Sequence, residues 1–189
     1  MLQAWAVAKR KATYADLEAV PPHLVAELVD GELYASPRPA SPHALAHSAL
    51  LGVLYNPFHL GRGGPGGWLL LSEPELHLGD DVLVPDLAAW RRERMPEMPD
   101  VVGFTLAPDW ACEVLSPSTE SLDREKKMKV YAREGVRHLW LVDPLRRSLE
   151  VYGLHGEHWE PLGTHTGPAR VHAEPFTPLL LELSVLWAR

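Results

Sequence analysis

The chain has 189 residues, of which 46% are hydrophobic, a composition that suffices for a globular core and argues against intrinsic disorder. Its single cysteine, Cys112, excludes an intramolecular disulfide, and no stretch reaches the roughly 18–20 apolar residues of a transmembrane helix. The formal net charge of -7 is unusual for a nucleic-acid-binding protein, because such proteins neutralise phosphates with basic surfaces.

The first residues do not have the order of a secretory signal, because the basic residues 9–11 follow the apolar stretch instead of preceding it. We therefore expect a cytoplasmic protein that does not associate with membranes. We expect residues 1–189 to form one domain, with residues 1–12 as a short N-terminal extension.

Capping residues, glycines and prolines divide the chain into predicted elements. Thr13 is a suitable N-cap for a short helix, and Asp30-Gly31 between two apolar runs is typical of a β-hairpin turn. In chain order we predict a helix at 13–18, hairpin strands at 24–29 and 32–35, a linker at 36–42, a helix at 43–55, a glycine-rich loop at 61–67, strands at 68–78, 82–90 and 109–115, a helix from 116–118 to about 134, and strands at 137–142, 149–153 and 158–162.

The succession of strand, helix and strand after residue 109 indicates a right-handed crossover with a parallel strand pair. We therefore expect an α/β fold, in which a mixed β-sheet core in the order helix, three strands, helix, strand is flanked by helices. The last two predicted strands add extra antiparallel strands to this sheet.

Two acidic residues lie inside runs that otherwise have the composition of buried strands. Asp86 follows Pro85 in the run 82–90, and Glu113 lies in the run 109–115. An ionised carboxylate is costly to bury unless it is paired or binds a metal, and a proline inside a strand indicates an edge or a bulge. Carboxylates on neighbouring strands would suit a hard cation such as Mg²⁺. The alternative is that each acid faces water at a strand end or pairs with an arginine.

Lys127 lies on the predicted helix that follows the Glu113 strand. Asp123, Lys127 and Tyr131 are spaced four residues apart, so they share one helix face. A lysine near a metal-bound water can orient that water, help to deprotonate it, or offset charge that develops on a phosphate. Taken alone, the spacing favours a simpler interpretation, a solvated Asp123–Lys127 salt bridge.

Two other features of the sequence have functional alternatives. His43 and His47 have a spacing that can bind zinc, but the glutamate of a zinc-protease helix is missing, so a helix-surface or capping role is favoured. Cys112 adjoins Glu113 and should point to the opposite face of the sheet, which favours a buried, unreactive thiol.

Several segments together resemble the Uma-type family of putative restriction endonucleases, within the PD-(D/E)XK nuclease superfamily. The resemblance covers nearly the whole chain, from about Thr13 to the C-terminal strands. The matching segments are Pro85-Asp86, Glu113-Val114-Leu115-Ser116-Pro117-Ser118-Thr119, Asp123-x3-Lys127-x3-Tyr131-x3-Gly135-Val136, Leu139 to Pro144, and the opening segments Thr13-Tyr14-x2-Leu17, Glu27 to Leu33 and Ser41-Pro42-His43.

The resemblance implies a restriction-endonuclease-like fold with a metal-dependent active site. Asp86 and Glu113 would be the two metal-binding acids of the family motif. Superfamily members usually place a lysine two residues after the second acid, where this chain has Leu115. In the family this lysine is displaced to the following helix, which corresponds to Lys127.

The resemblance also implies supporting residues around the metal. Glu27 would be an additional acid that approaches the cation, and the backbone carbonyl of Val114 would be a further ligand. Tyr131 would support Lys127 or contact phosphate, and His43 would border the cleft and contact phosphate.

The expected function is Mg²⁺-dependent hydrolysis of nucleic-acid phosphodiester bonds, with Mn²⁺ as a possible substitute, DNA as the expected substrate and a homodimer as a possible assembly. Two alternatives stay open. One is a catalytically inactive nuclease-fold domain that binds nucleic acid or a protein partner; the other is a hydrolase of other substrates or a metal-binding module. The acidic net charge favours the alternatives, whereas Asp86, Glu113 and Lys127 together favour catalysis.

Overall fold

The computed structural model describes residues 10–188, so residues 1–9 of the predicted N-terminal extension lie outside the described part. The helical segments are α1 (Tyr14–Glu18), α2 (Ser41–Leu54) with a π-helical turn at Tyr55–His59, α3 (Glu120–Leu122), a π-helical turn at Asp123–Lys127, α4 (Met128–Arg133) and a 3-10 turn at Leu183–Leu186. The strands are β1 (Leu24–Val29), β2 (Glu32–Pro37), β3 (Trp68–Ser72), β4 (Glu75–Leu78), β5 (Asp81–Leu83), β6 (Leu87–Arg91), β7 (Gly103–Phe104), β8 (Trp110–Val114), β9 (His138–Asp143), β10 (Ser148–His155), β11 (His158–Thr166), β12 (Arg170–Val171) and β13 (Leu181–Glu182).

The largest sheet is mixed and has the strand order β11-β10-β9-β8-β6-β3. The segment α3–α4 connects β8 to β9, which pair in parallel, with Glu113 opposite Leu141. Strands β10 and β11 add to this sheet in antiparallel orientation. The structure therefore confirms the predicted α/β fold with its extra C-terminal antiparallel strands, although it also contains the short strands β7, β12 and β13, which the sequence did not predict.

Two strand predictions were wrong in one respect, because each of the runs 68–78 and 82–90 forms two strands in different sheets. Strands β3 and β6 belong to the six-stranded sheet, whereas β4 and β5 belong to a five-stranded sheet with the order β2-β1-β5-β4-β7. The breaks fall at Glu73-Pro74 and Val84-Pro85-Asp86, where proline removes a donor that a continuous ladder would need. The N–H of Glu73 donates to the carbonyl of Asp86 at 2.9 Å, which holds the two breaks side by side.

Two hydrophobic cores cover opposite faces of the six-stranded sheet. The side chains of β8 alternate between these two cores. Trp110, Cys112 and Val114 pack with α2 and with the C-terminal segment 171–187. Ala111 and the neighbouring Leu115 instead pack with α4. This alternation follows from the two-residue repeat of a strand, and it confirms that Cys112 is buried on the face opposite Glu113.

The remaining predicted elements agree with the structure apart from their bounds. The hairpin of β1 and β2 turns at Asp30-Gly31, both with positive φ. Helix α2 begins at Ser41, two residues before the predicted start, and continues through its π-helical turn to His59. Within residues 10–188, no helix combines the length and the hydropathy needed to cross a membrane.

Candidate functional site

A cleft of about 320 Å³ opens beside the two strand breaks. The predicted residues Glu27, His43, Asp86, Glu113 and Lys127 all line it. Strands β1 and β8, helix α2, the break after β5 and the π-helical turn before α4 each contribute to its wall. The fold thus brings residues from five separated segments to one place.

The strand break aims the Asp86 carboxylate at β8. Its Oδ2 accepts a hydrogen bond from the backbone N–H of Val114 at 2.7 Å. Its Oδ1 lies 3.2 Å from Nε2 of His43. The recorded contacts of Asp86 with described residues include no arginine, and its side chain is only 14% exposed. Of the alternatives to a metal site, pairing with an arginine does not apply to this residue: Asp86 lies at a strand break, and its carboxylate points towards His43 and β8.

Lys127 lies at the centre of the acidic cluster. Its Nζ is 2.9 Å from Oε1 of Glu113, 2.8 Å from Oε1 of Glu27 and 3.5 Å from Oδ1 of Asp123. The side chain is 2% exposed. The solvated Asp123–Lys127 salt bridge is thus ruled out as the environment of this lysine, because the helix packs its charged face against β8.

Two further contacts fix the acids that hold Lys127. The hydroxyl of Tyr131, which is fully buried, donates to Oε1 of Glu113 at 2.5 Å. Oε1 of Glu27 accepts the backbone N–H of Val84 at 2.8 Å, which ties β1 to the second strand break. Glu27 therefore positions both Lys127 and the segment that carries Asp86.

The helix is widened by a π-helical turn at the residues that enter the cleft. This turn spans Asp123–Lys127, and it places Asp123 and Lys127 among the buried residues. Isolated π-helical turns inside helices occur frequently at functional sites. The sequence spacing placed Asp123, Lys127 and Tyr131 on one face but gave no signal for the wider turn.

Burial and crowding of like charges perturb the carboxyl groups. Burial raises the pKa of Glu113 well above its usual value; Lys127 opposes this shift, and neighbouring acids add to it. Burial likewise raises the pKa of Asp123 to about 6. Burial lowers the pKa of Lys127, but Glu113 and Glu27 outweigh it and hold the pKa well above the ordinary value. The lysine is therefore a cation at neutral pH.

His43, for which the sequence favoured a helix-surface or capping role, is instead buried, lines the cleft and faces Asp86. Burial lowers its pKa, but the hydrogen bond and charge of Asp86 outweigh burial, so the net pKa is raised. Its other ring nitrogen, Nδ1, is buried and has no hydrogen-bond partner among the described residues. His43 thus orients one oxygen of Asp86, while Val114 holds the other.

A compact group of potential metal ligands within residues 10–188 differs from the predicted ligand set. It consists of His47, Glu73 and Asp86, each offering one ligand atom within 4.8 Å of the others. Glu73 was missed by the sequence analysis, which placed it inside one continuous strand. Pro74 was the available signal, because it follows Glu73 in a strand run just as Pro85 precedes Asp86.

Short polar side chains form the mouth of the cleft. Ser116 Oγ lies 3.0 Å from both Ser118 Oγ and Thr119 Oγ1, in the loop between β8 and α3. Arg38, on the loop between β2 and α2, lines the cleft and is exposed. The cleft is therefore acidic inside, with hydroxyls and one arginine at its mouth.

Comparison with curated proteins gave no match. A solved structure, described as a crystal structure of a putative nuclease belonging to DUF820 from Anabaena variabilis ATCC 29413, is similar with a TM-score of 0.76 and 23% sequence identity. The similarity covers 94% of this chain and 98% of that chain, which supports the fold. The model of the family described as "Uma2: Putative restriction endonuclease" matches residues 12–186, and the chain therefore belongs to this family.

Proposed function

We propose that this chain is a divalent-cation-dependent endonuclease that hydrolyses phosphodiester bonds in DNA. The observation that carries the proposal is a fully buried ammonium, that of Lys127, held between Glu113 and Glu27 in the cleft that also contains Asp86. A buried lysine beside paired carboxylates is costly as a purely structural device, and perturbed charges gathered in a cleft are typical of active sites. The family to which the chain belongs supports nucleic acid as the substrate class.

The proposed cation is Mg²⁺, with Mn²⁺ as a substitute, and its proposed ligands are Asp86, Glu113, the backbone carbonyl of Val114 and Glu27. All four would offer oxygen atoms, which Mg²⁺ prefers. Within residues 10–188, Tyr131 and Lys127 both contact Oε1 of Glu113, so Oε2 of Glu113 is available to a ligand.

The charge balance of the cleft also fits a cation. Its lining contains more acids than permanently charged basic residues. The acids are Glu27, Glu73, Asp86, Glu113 and Asp123, and the basic residues are Arg38 and Lys127. A bound divalent cation would polarise the phosphate and acidify a bound water. Burial is the main cause of the raised pKa values of Glu113 and Asp123, and the neighbouring acids add to both shifts.

The protein groups have distinct proposed roles. Because the pKa of Lys127 is raised, its ammonium is suited to orienting the attacking water and to offsetting charge on the phosphate, and not to removing a proton. Tyr131 and Glu27 position Glu113 and Lys127 through their hydrogen bonds and ion pairs. His43 positions Asp86, and Arg38 at the mouth is suited to a neighbouring phosphate.

The test is cleavage of supercoiled plasmid and of single-stranded DNA in the presence of Mg²⁺, Mn²⁺ or EDTA. We expect cleavage with either metal, none with EDTA, and a loss of at least about 100-fold in Asp86→Asn. Asp80→Asn, in the exposed turn before β5, is the matched control and should behave as the wild type. Cleavage that persists in EDTA and in Asp86→Asn would overturn the proposal.

The same experiment separates the main alternative, a nuclease-fold domain that binds without cleaving. The specific observation in its favour is Leu115, which is buried in the core where superfamily members usually carry lysine. Metal-independent DNA binding without cleavage in any condition would replace the proposed activity with this alternative. The proposed homodimer is tested separately, by the mass of the protein in solution.

A further inference from the structure

At the edge of the cleft lies a group of three potential ligands, of which Glu73 and Asp86 line the cleft and His47 adjoins it. His47, Glu73 and Asp86 each place one potential ligand atom within 4.8 Å of the others. Glu113 and Glu27 are not members of this group. Asp86 would therefore be shared between an inner position towards Glu113 and an outer position towards His47 and Glu73.

The backbone holds these side chains in place. The break between β3 and β4 gives Glu73 a φ of 48°, and its N–H is bonded to the carbonyl of Asp86 at 2.9 Å. His47 lies on α2, and its Nε2 is 2.9 Å from Oγ of Ser72, which fixes the orientation of the ring. An outer partner of this kind commonly orients histidine ligands of metals.

The charge of the outer group lacks a permanent cation. Lys127 offsets the charges of Glu113 and Glu27. Within residues 10–188, neither Glu73 nor Asp86 forms an ion pair with a lysine or an arginine. Besides His43, whose charge depends on pH, the pair of carboxylates has no permanent countercharge among these contacts, and such a pair attracts a cation.

A buried polar atom in the same wall is also unsatisfied. The side chain of His43 is 10% exposed, and its Nδ1 has no hydrogen-bond partner within residues 10–188. His43 lies close to two members of the group, Asp86 and His47. Its Nε2 is 3.2 Å from Oδ1 of Asp86, and its ring centroid is 6.5 Å from that of His47. His43 thus lies in the cleft wall and contacts Asp86, a member of the outer group, through its other ring nitrogen.

We propose that His47, Glu73 and Asp86 form an outer cation site that prefers Mn²⁺ to Mg²⁺. One imidazole nitrogen and two carboxylates suit a transition-metal ion, whereas Mg²⁺ prefers oxygen ligands alone. Three protein ligands leave positions open for water or a phosphate oxygen. The inference rests on the proposed function only in sharing Asp86 with the inner position, because the binding of Mn²⁺ itself does not require DNA.

The test is a Mn²⁺ titration of the full chain, with free Mn²⁺ measured by electron paramagnetic resonance. We expect Glu73→Gln and His47→Gln each to lose one bound Mn²⁺ or to bind it at least about tenfold more weakly. Glu157→Gln and His158→Gln, at the exposed turn between β10 and β11, are the matched controls and should bind as the wild type. Circular dichroism without metal should be unchanged in all four variants, because none of the altered side chains is buried.

Wild-type stoichiometry and affinity in both Glu73→Gln and His47→Gln would overturn the outer site. The plasmid assay run on the same samples keeps this result apart from the proposed function. Loss of Mn²⁺ in the variants without any DNA cleavage by the wild type would support the site and refute the nuclease activity. DNA cleavage by the wild type, together with unaltered Mn²⁺ binding in both variants, would support the nuclease activity and refute the outer site.

Discussion

The hydroxyl of Tyr131 gives a sharp test of the buried network, because Tyr131→Phe removes one oxygen and keeps the ring. This hydroxyl donates to Oε1 of Glu113 at 2.5 Å in a fully buried setting. A hydrogen bond to a neutral partner contributes about 0.5–1.5 kcal/mol, and one to a charged group about 1.5–3 kcal/mol. Since the pKa of Glu113 is raised, the bond lies between these two cases, and we expect Tyr131→Phe to lower the free energy of unfolding by about 1–3 kcal/mol. For a chain of this size each 1 kcal/mol lowers Tm by about 2–4 °C.

The assay is urea denaturation without metal, with Tyr152→Phe as the matched control. The Tyr152 hydroxyl donates to Oε2 of Glu150 at 2.6 Å, but this pair is only partly buried and Arg124 also holds Glu150. We therefore expect the control to lose less than about 1 kcal/mol. The reasoning is refuted if Tyr131→Phe is as stable as the wild type, or loses no more stability than Tyr152→Phe.

Three further predictions concern charge and metal. Because burial raises the pKa of Asp123 to about 6, the folded protein without metal holds this proton more tightly than the unfolded chain, so stability should fall as the pH rises from about 4 to about 6. Asp123→Asn should reduce this fall, because Glu113 still contributes to it, and should be more stable than the wild type above pH 6 by up to about 3 kcal/mol in urea titrations across that range; an unchanged pH profile would count against it. Mg²⁺ at about 100 times its Kd should stabilise the wild type by about 2.7 kcal/mol in thermal denaturation, and Asp86→Asn should show no such gain. Leu115→Lys, which restores the usual superfamily position of the lysine, should lose about 3 kcal/mol or more, because Leu115 is 2% exposed within the core; a neutral effect would show that this position accepts a charge.

The elements of the fold were largely predictable because their signals are local. The Asp30-Gly31 turn, the helix end near residue 134 and the strand–helix–strand order after residue 109 all depend on neighbouring residues, and each agrees with the structure. The division of the runs 68–78 and 82–90 between two sheets was not predictable in the same way. It depends on pairing with strands that are distant in sequence, and the prolines at 74 and 85 indicated only that a break could occur.

The candidate site was also only partly predictable, because it depends on contacts between residues that are distant in sequence. The spacing of Asp123 and Lys127 favoured a solvated salt bridge, and only the packing of the helix against β8 buries the lysine. Glu73 was missed because its proximity to Asp86 arises from the hydrogen bond between the two strand breaks. Asp86, Glu113 and Lys127 were first identified from the strand and helix patterns, and the family resemblance then gave them a metal-binding role; the structure brings all three to one cleft.

The most direct test of the central claim, that the buried lysine and the acids around it form one hydrolytic site, is the Mg²⁺-dependent rate of plasmid cleavage by Lys127→Met. Lys129→Met, exposed on the same helical segment, is the matched control. We predict wild-type rates for the control and a rate lower by at least about 100-fold for Lys127→Met, because a charge aimed at the reacting phosphate is lost. Equal rates of Mg²⁺-dependent cleavage by Lys127→Met, Lys129→Met and the wild type would contradict the claim.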